Sequence, residues 1–169
     1  MPPFAEVVRR LCTIPGVGKR TAQVLIAEIG VDMTRFPSAR HLASWAGLCP
    51  GNDMSAGKHR SGKARKGNPA VRTTLVEAAW AASRTRNTYL AALHRRFLRR
   101  FGKKGHAKAT FAVAHAILVA VWHMLSREVD HLELGGDYFD RRYDTTIQTR
   151  RLVRQLEKLG HRVVLEPAA

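Results

Sequence analysis

The sequence predicts a mainly α fold: a compact helical bundle that carries one long basic loop. Three observations predict it. Apolar residues recur at helical spacing in successive segments. Glycine, proline and asparagine separate those segments at short intervals, with a single long interruption at 47–68. The chain has 169 residues, 45% of them apolar, which is enough to bury a core and excludes global disorder.

Each element follows from local pattern. Residues 3–12 read as a short helix, with Phe4, Val7, Val8 and Leu11 on one face. Ile14-Pro15-Gly16-Val17-Gly18 is a turn signal. A helix from about Lys19 to Ile29 sets Ala22, Leu25, Ile26 and Ile29 at helical spacing, and Gly30 stops it. Ser38 is suited to cap a helix through Ala46. Pro69 fits the first turn of a helix to about Arg86. Further helices are predicted over 88–101, 108–127 and 145–159, the last ended by Gly160, with a short strand over 162–165. No internal repeat is visible. The domain reading is 1–128 for the main body, comprising a hairpin at about 11–30, the loop at 47–68 and a helical core at 69–128, with a tail at 129–169.

Composition narrows the function classes. Lys and Arg total 29 against 13 Asp and Glu, a net charge of +16. From Met54 to Arg127 there are sixteen basic residues and one acid, Glu77. Fifty residues between Glu77 and Glu128 carry no carboxylate. A solvated face usually mixes signs, so this segment calls for a partner that brings negative charge, and nucleic acid suits it best. Cys12 and Cys49 are the only cysteines, which excludes a disulfide framework. The eight histidines show no ligand spacing, so no metal site is expected. The N-terminus lacks a charged start followed by an apolar run. The most apolar stretch, Phe111 to Leu125, is shorter than the roughly 20 residues of a membrane span. A cytoplasmic protein without a membrane partner is expected, with that stretch as a buried central helix.

Two segments carry chemistry. The first, LCTIPGVGKRTAQVLIAEIG at 11–30, resembles the helix-hairpin-helix motif. There, glycines let backbone N–H groups approach a phosphate at a helix N-terminus, gripping the nucleic-acid backbone without reading sequence. Gly16, Gly18, Lys19 and Thr21 would supply those contacts. A tight turn between packed helices is the alternative role for both glycines.

The second segment is GLCPGNDMSAGKHRSGKARKGNPAVR at 47–72. Trp45-Ala46-Gly47-Leu48-x-Pro50, then Ser55-x-Gly57-Lys58, then Lys66-Gly67-Asn68-Pro69-x-x-Arg72, following the hairpin motif, resembles the C-terminal domain of the insertion-sequence transposases of families one-ten, one-sixteen and nine-oh-two. The resemblance covers about residues 8–128, and the tail is similar to the end of some members. It implies DNA transposition and recombination by a bridge-RNA-guided enzyme in two parts. One part is a RuvC-like domain whose four acids hold Mg²⁺. The other supplies a serine that forms a covalent 5′-phosphoserine link to DNA. By position that serine is Ser55, with Ser61 as the second candidate. The resemblance also implies homo-oligomers, because strand exchange joins two DNA sites.

Chemistry read from the residues themselves is narrower. A serine hydroxyl needs activation. Asp53 and His59 lie near Ser55 in sequence, but no Ser-His-Asp set is evident. Lys58, Arg60, Lys63, Arg65 and Lys66 suit charge neutralisation in phosphoryl transfer, or simple strand binding. Asn68 fits a helix cap as well as a catalytic role, and Arg72 faces either the same phosphate or solvent. Trp45, Trp80 and Trp122 read as core anchors, with base stacking open to Trp45. Tyr138, Phe139 and Tyr143 suit nucleic acid, a partner subunit or docking on the core.

Only Glu6, Glu28 and Asp32 are acidic before residue 50. The Mg²⁺-binding domain is therefore expected to be missing, the chain to bind no cofactor, and recombination to be absent in isolation. The competing reading is a non-catalytic helix-hairpin-helix module that binds DNA or RNA.

Overall fold

In a computed structural model, residues 4–49, 53–61, 64, 66–102, 105–142 and 145–166 are described. The helices are α1 (Ala5–Leu11), α2 (Lys19–Ile29), α3 (Ala39–Trp45), α4 (Pro69–Arg84), α5 (Tyr89–Phe101), α6 (His106–Arg127), α7 (Tyr138–Arg141) and α8 (Thr145–Lys158). A 3₁₀ turn, η1 (Met33–Arg35), precedes α3, and strands β1 (Asp53–Ser55) and β2 (Lys58–Ser61) form one antiparallel pair. The mainly α reading holds. The chain divides into two compact units, residues 1–136 and 137–169.

α6 is the axis of the first unit. It packs against α1, α3, α4, α5 and η1, while α2 packs on α4 and α1. Nine of its residues are buried, among them Val113, Ile117, Leu118 and Val121, each with no exposed surface. Each such aliphatic side chain stabilises the fold by roughly 1.5–3 kcal/mol. Around them lie Leu11, Leu25, Leu42 and Leu75, all at most 1% exposed. The helix is longer than its apolar stretch. At 22 residues and a mean hydropathy of 1.6 it is long and apolar enough to cross a membrane. Its burial among five neighbouring elements instead makes it the core helix of this unit.

Local chemistry explains the boundaries. Asn68 Oδ1 accepts from the Val71 amide at 3.0 Å, and Pro69 takes the first helical position of α4. Thr88 Oγ1 accepts from the Ala91 amide at the start of α5. α2 ends at Gly30, whose φ of +80° suits a residue without a side chain. The segment after α6 returns along the bundle. The Thr13 hydroxyl accepts from the His131 amide at 3.0 Å, and Glu133 accepts from the Tyr89 amide at 2.6 Å. Arg9 bridges Glu6 and Asp130, which ties α1 to this strap.

The structure corrects three expectations. The 47–68 segment is not loop throughout but contains the β1–β2 pair, because two short polar strands in sequence leave no apolar alternation to read. Residues 162–165 form no strand: no neighbouring strand pairs with them among the described residues, and an isolated strand is unstable. Trp45 and Trp80 are no core anchors. They are 40% and 39% exposed, since the buried face of α3 is set by Leu42 and Ala43 and that of α4 by Val71, Leu75, Ala78, Ala79 and Ala82.

Candidate nucleic-acid interface

The hairpin between α1 and α2 is built by burying Ile14 and Val17, with the Val17 amide bonded to the Ile14 carbonyl. Its two glycines have different surroundings. Gly16 has a φ of +85°, and a Cβ there would lie 2.4 Å from the Ala78 carbonyl oxygen and 2.5 Å from the Ala82 nitrogen. It seats the hairpin on α4. Gly18 is exposed and has open space around it. It is the N-cap of α2 and contributes no side-chain cap, so the first amides of α2 lack a side-chain acceptor. Lys19 and Arg20 are exposed beside them, and Thr21 is half-buried.

The basic segment is closed at its neck. A Cβ on Gly67 would lie 2.2 Å from the Gly47 nitrogen and 2.5 Å from the Ala46 carbonyl oxygen, so the two ends of the segment meet backbone to backbone. Leu48, 1% exposed, anchors the outgoing arm, and its amide bonds the Ala43 carbonyl. Asn68 anchors the returning arm. Its Nδ2 donates to Glu28 Oε2 at 2.7 Å while Oδ1 caps α4.

Beyond the neck, β1 and β2 join through Ala56-Gly57, whose φ values of +49° and +74° are those of a type I′ turn. Ser55 is the last residue of β1 and is paired with Lys58, the first of β2. Met54 pairs with His59, and Asp53 with Ser61, across an irregularity that leaves Arg60 without an opposite partner. Lys63 and Arg65 lie outside the described residues.

Lys66, Gly67, Arg72 and Glu77 line a cleft of about 700 Å³ on the exposed side of α4. The Arg72 guanidinium lies 5.5 Å above the Phe111 ring, so its charge is held at the surface. Lys66 and Arg72 are thus brought together. Lys19 is not with them: it lines a mainly apolar groove between α1 and α2, with Phe4, Val8, Ile26 and Val31. It stands nine residues from Glu28, about 14 Å along α2. The hairpin end and the neck end of α2 are therefore separate surfaces. Sequence reasoning missed Glu28 as the partner of Asn68, since forty residues separate them. Trp45 is 40% exposed and packs on Phe36, with ring centres 5.5 Å apart.

Residues 8–95, which span the hairpin, the neck, the β1–β2 pair and most of the helices around α6, match the Transposase IS116/IS110/IS902 family. The chain belongs to this family of insertion-sequence transposases. It is 43% identical over 72 residues to the 43.6 kDa protein of insertion element IS110 from Streptomyces coelicolor, 42% of this chain and 18% of that protein. It is 38% identical over 106 residues to the pilin gene-inverting protein of Moraxella bovis, 62% of this chain and 31% of that protein. It is 35% identical over 75 residues to the transposase of element IS1328 from Yersinia enterocolitica, 44% of this chain and 22% of that protein. The chain therefore spans between about 18% and 31% of the length of these relatives.

Proposed function

We propose that this chain is the DNA-gripping, nucleophile-bearing part of an insertion-sequence transposase, with Ser55 as the nucleophile. One observation carries the reading. Ser55 occupies the last strand position before a tight turn, paired with Lys58, on a basic excursion whose neck is clamped by Gly67 against Gly47. A strand position that runs into a tight turn on an anchored hairpin fixes the backbone at Ser55, and positioning dominates phosphoryl transfer.

In the proposed step the Ser55 oxygen attacks a backbone phosphorus. The Ser O–P bond forms, the P–O3′ bond breaks, the departing 3′ oxygen takes a proton, and the serine proton passes to a base. Lys66 and Arg72 would neutralise the non-bridging oxygens. Lys58, Arg60, Lys63 and Arg65 would track the strand. Gly18, Lys19 and Thr21 would hold a second phosphate at the N-terminus of α2, with Gly16 supporting the hairpin from behind. Among the described residues no three His, Cys, Asp or Glu side chains converge, so these residues do not fit Mg²⁺. The metal would belong to a RuvC-like acidic domain, and a guide RNA and a second copy of the chain would complete the assembly.

Fluorescence anisotropy with a labelled duplex tests the grip. Affinity should fall log-linearly with salt, and Ser55→Ala should bind as the parent does. Joined to the acidic domain of a relative, the parent chain should form a covalent protein–DNA adduct, and Ser55→Ala should not. An adduct lost only in Ser61→Ala would move the role to Ser61. DNA binding with no adduct from any joined chain would favour a non-catalytic module. A structured RNA at matched salt measures the preference between the two polymers.

A further inference from the structure

Outside the serine hairpin, the structure gathers exposed aromatic rings and cations on one face of α4, α5 and α6. Trp80 of α4, His94 of α5 and His106 of α6 form a triangle. Ring centres are 6.2 Å apart for Trp80–His94, 6.4 Å for Trp80–His106 and 6.2 Å for His94–His106. Trp80 and His106 lie parallel within 7°, and both are exposed, whereas His94 is 6% exposed and closes the triangle from inside. The Arg84 guanidinium, one turn along α4, sits 5.6 Å from the indole centre. Gly105, the residue before His106, rests on the Cβ of Phe101 and so joins a second ring pair. Phe97 and Phe101 are parallel within 6° at 5.6 Å, Phe101 is 38% exposed, and Arg100 and Lys108 approach its ring at 5.9 and 5.8 Å.

Tryptophan is enriched at interfaces, where its large ring buries much area, and Trp80 is set among other rings and cations. Here the partner has a chemistry the surroundings specify. No carboxylate occurs between residues 78 and 127, and Glu77, one turn before Trp80, is the one acid on α4, α5 and α6, so the surroundings of the rings are predominantly cationic. An acidic protein surface would satisfy the cations but not the parallel flat rings. A duplex would satisfy the cations but hides its base faces in the stack. Unpaired nucleotides supply both the anionic backbone and an open π-face. We infer that the Trp80–His106 face, with Arg84, is a stacking site for an unpaired base of single-stranded nucleic acid. The inference rests on the nucleic-acid reading above but not on Ser55. It gives the chain a way to hold a strand melted out of a duplex, one turn of α4 beyond the end of the cleft that Lys66, Arg72 and Glu77 line.

Anisotropy on the full chain tests it, with three probes at matched salt: a short single-stranded DNA, the same sequence as RNA, and its duplex. Trp80→Leu should weaken single-strand binding about tenfold, the effect of one lost base–ring contact, and leave duplex affinity within about twofold. Trp80→Phe keeps a ring and should retain most of the binding, which separates stacking from folding. Arg84→Ala should lower the salt slope by about one. The relative losses on DNA and RNA identify which strand the site takes. Equal loss of single-strand and duplex binding in Trp80→Leu, or no loss in either, overturns the stacking site alone. Failure of the parent chain to bind any of the three probes overturns the nucleic-acid reading with it.

Discussion

The Asn68 side chain bonds the Glu28 carboxylate at 2.7 Å and the Val71 amide at 3.0 Å, so one residue starts α4 and ties it to the far end of α2. Asn68→Ala removes both bonds. It should destabilise the fold by about 1–2 kcal/mol and lower Tm by roughly 2–6 °C. Asn68→Asp keeps the cap acceptor but sets two carboxylates together, so it should also destabilise near neutral pH. Thermal melts of both variants, with Glu28→Gln as the rescue of Asn68→Asp, check the pairing.

Two glycines of the same hairpin should respond oppositely to alanine. Gly16→Ala places a Cβ within 2.5 Å of the Ala78 and Ala82 backbone at a φ of +85°. Overpacking and left-handed strain together should cost roughly 2–5 kcal/mol. Gly18→Ala meets nothing within 4 Å and should fold normally. Denaturant titration reads the difference, and only Gly18→Ala is informative about phosphate binding.

The Ala56-Gly57 turn is suboptimal, because Ala56 holds a φ of +49°. Asparagine accepts that conformation more readily, so Ala56→Asn should stabilise the hairpin by about 0.5–1 kcal/mol. Gly57→Val should open it. Amide hydrogen exchange of residues 53–61 reports both effects, while the global Tm should move little because the hairpin can open without the core.

Acidification should weaken the fold. His94, His115 and His131 all titrate below the ordinary imidazole range, in each case chiefly because burial disfavours the charged ring. Neighbouring His106 and Arg95 push His94 down further, while Glu133 partly offsets the effect at His131. The unfolded chain therefore binds more protons than the folded one as pH drops through about 6.5, and stability is lost below that value. Tm should fall between pH 7.5 and 5.5, with a shallower fall in His94→Gln. A second loss should begin as pH falls through the usual carboxylate range and continue below it. There Glu6, held down by its bond to Arg9, and Asp32, held down by Thr34, take up protons.

Much of the helical architecture was legible in sequence. The α2 boundaries at Lys19 and Gly30, the Asn68-Pro69 entry to α4 and the glycine after α5 are local signals, and the structure agrees with each. The apolar 111–125 stretch also read as a central helix, which it is. The candidate site was legible only as residue types. Nothing in 47–68 announces that Gly67 meets Gly47, or that Ser55 precedes a type I′ turn.

By itself, the sequence determined where the helices begin and end and where the positive charge is concentrated. Both depend on residues within a turn or two of one another. Tertiary structure alone decided which glycine packs and which stays open, which tryptophans face solvent, and which rings share a face. Those outcomes depend on contacts between residues tens of positions apart, such as Gly16 with Ala78 and Trp80 with His106. Helical periodicity reports that a face is apolar, but not which other helix will lie against it.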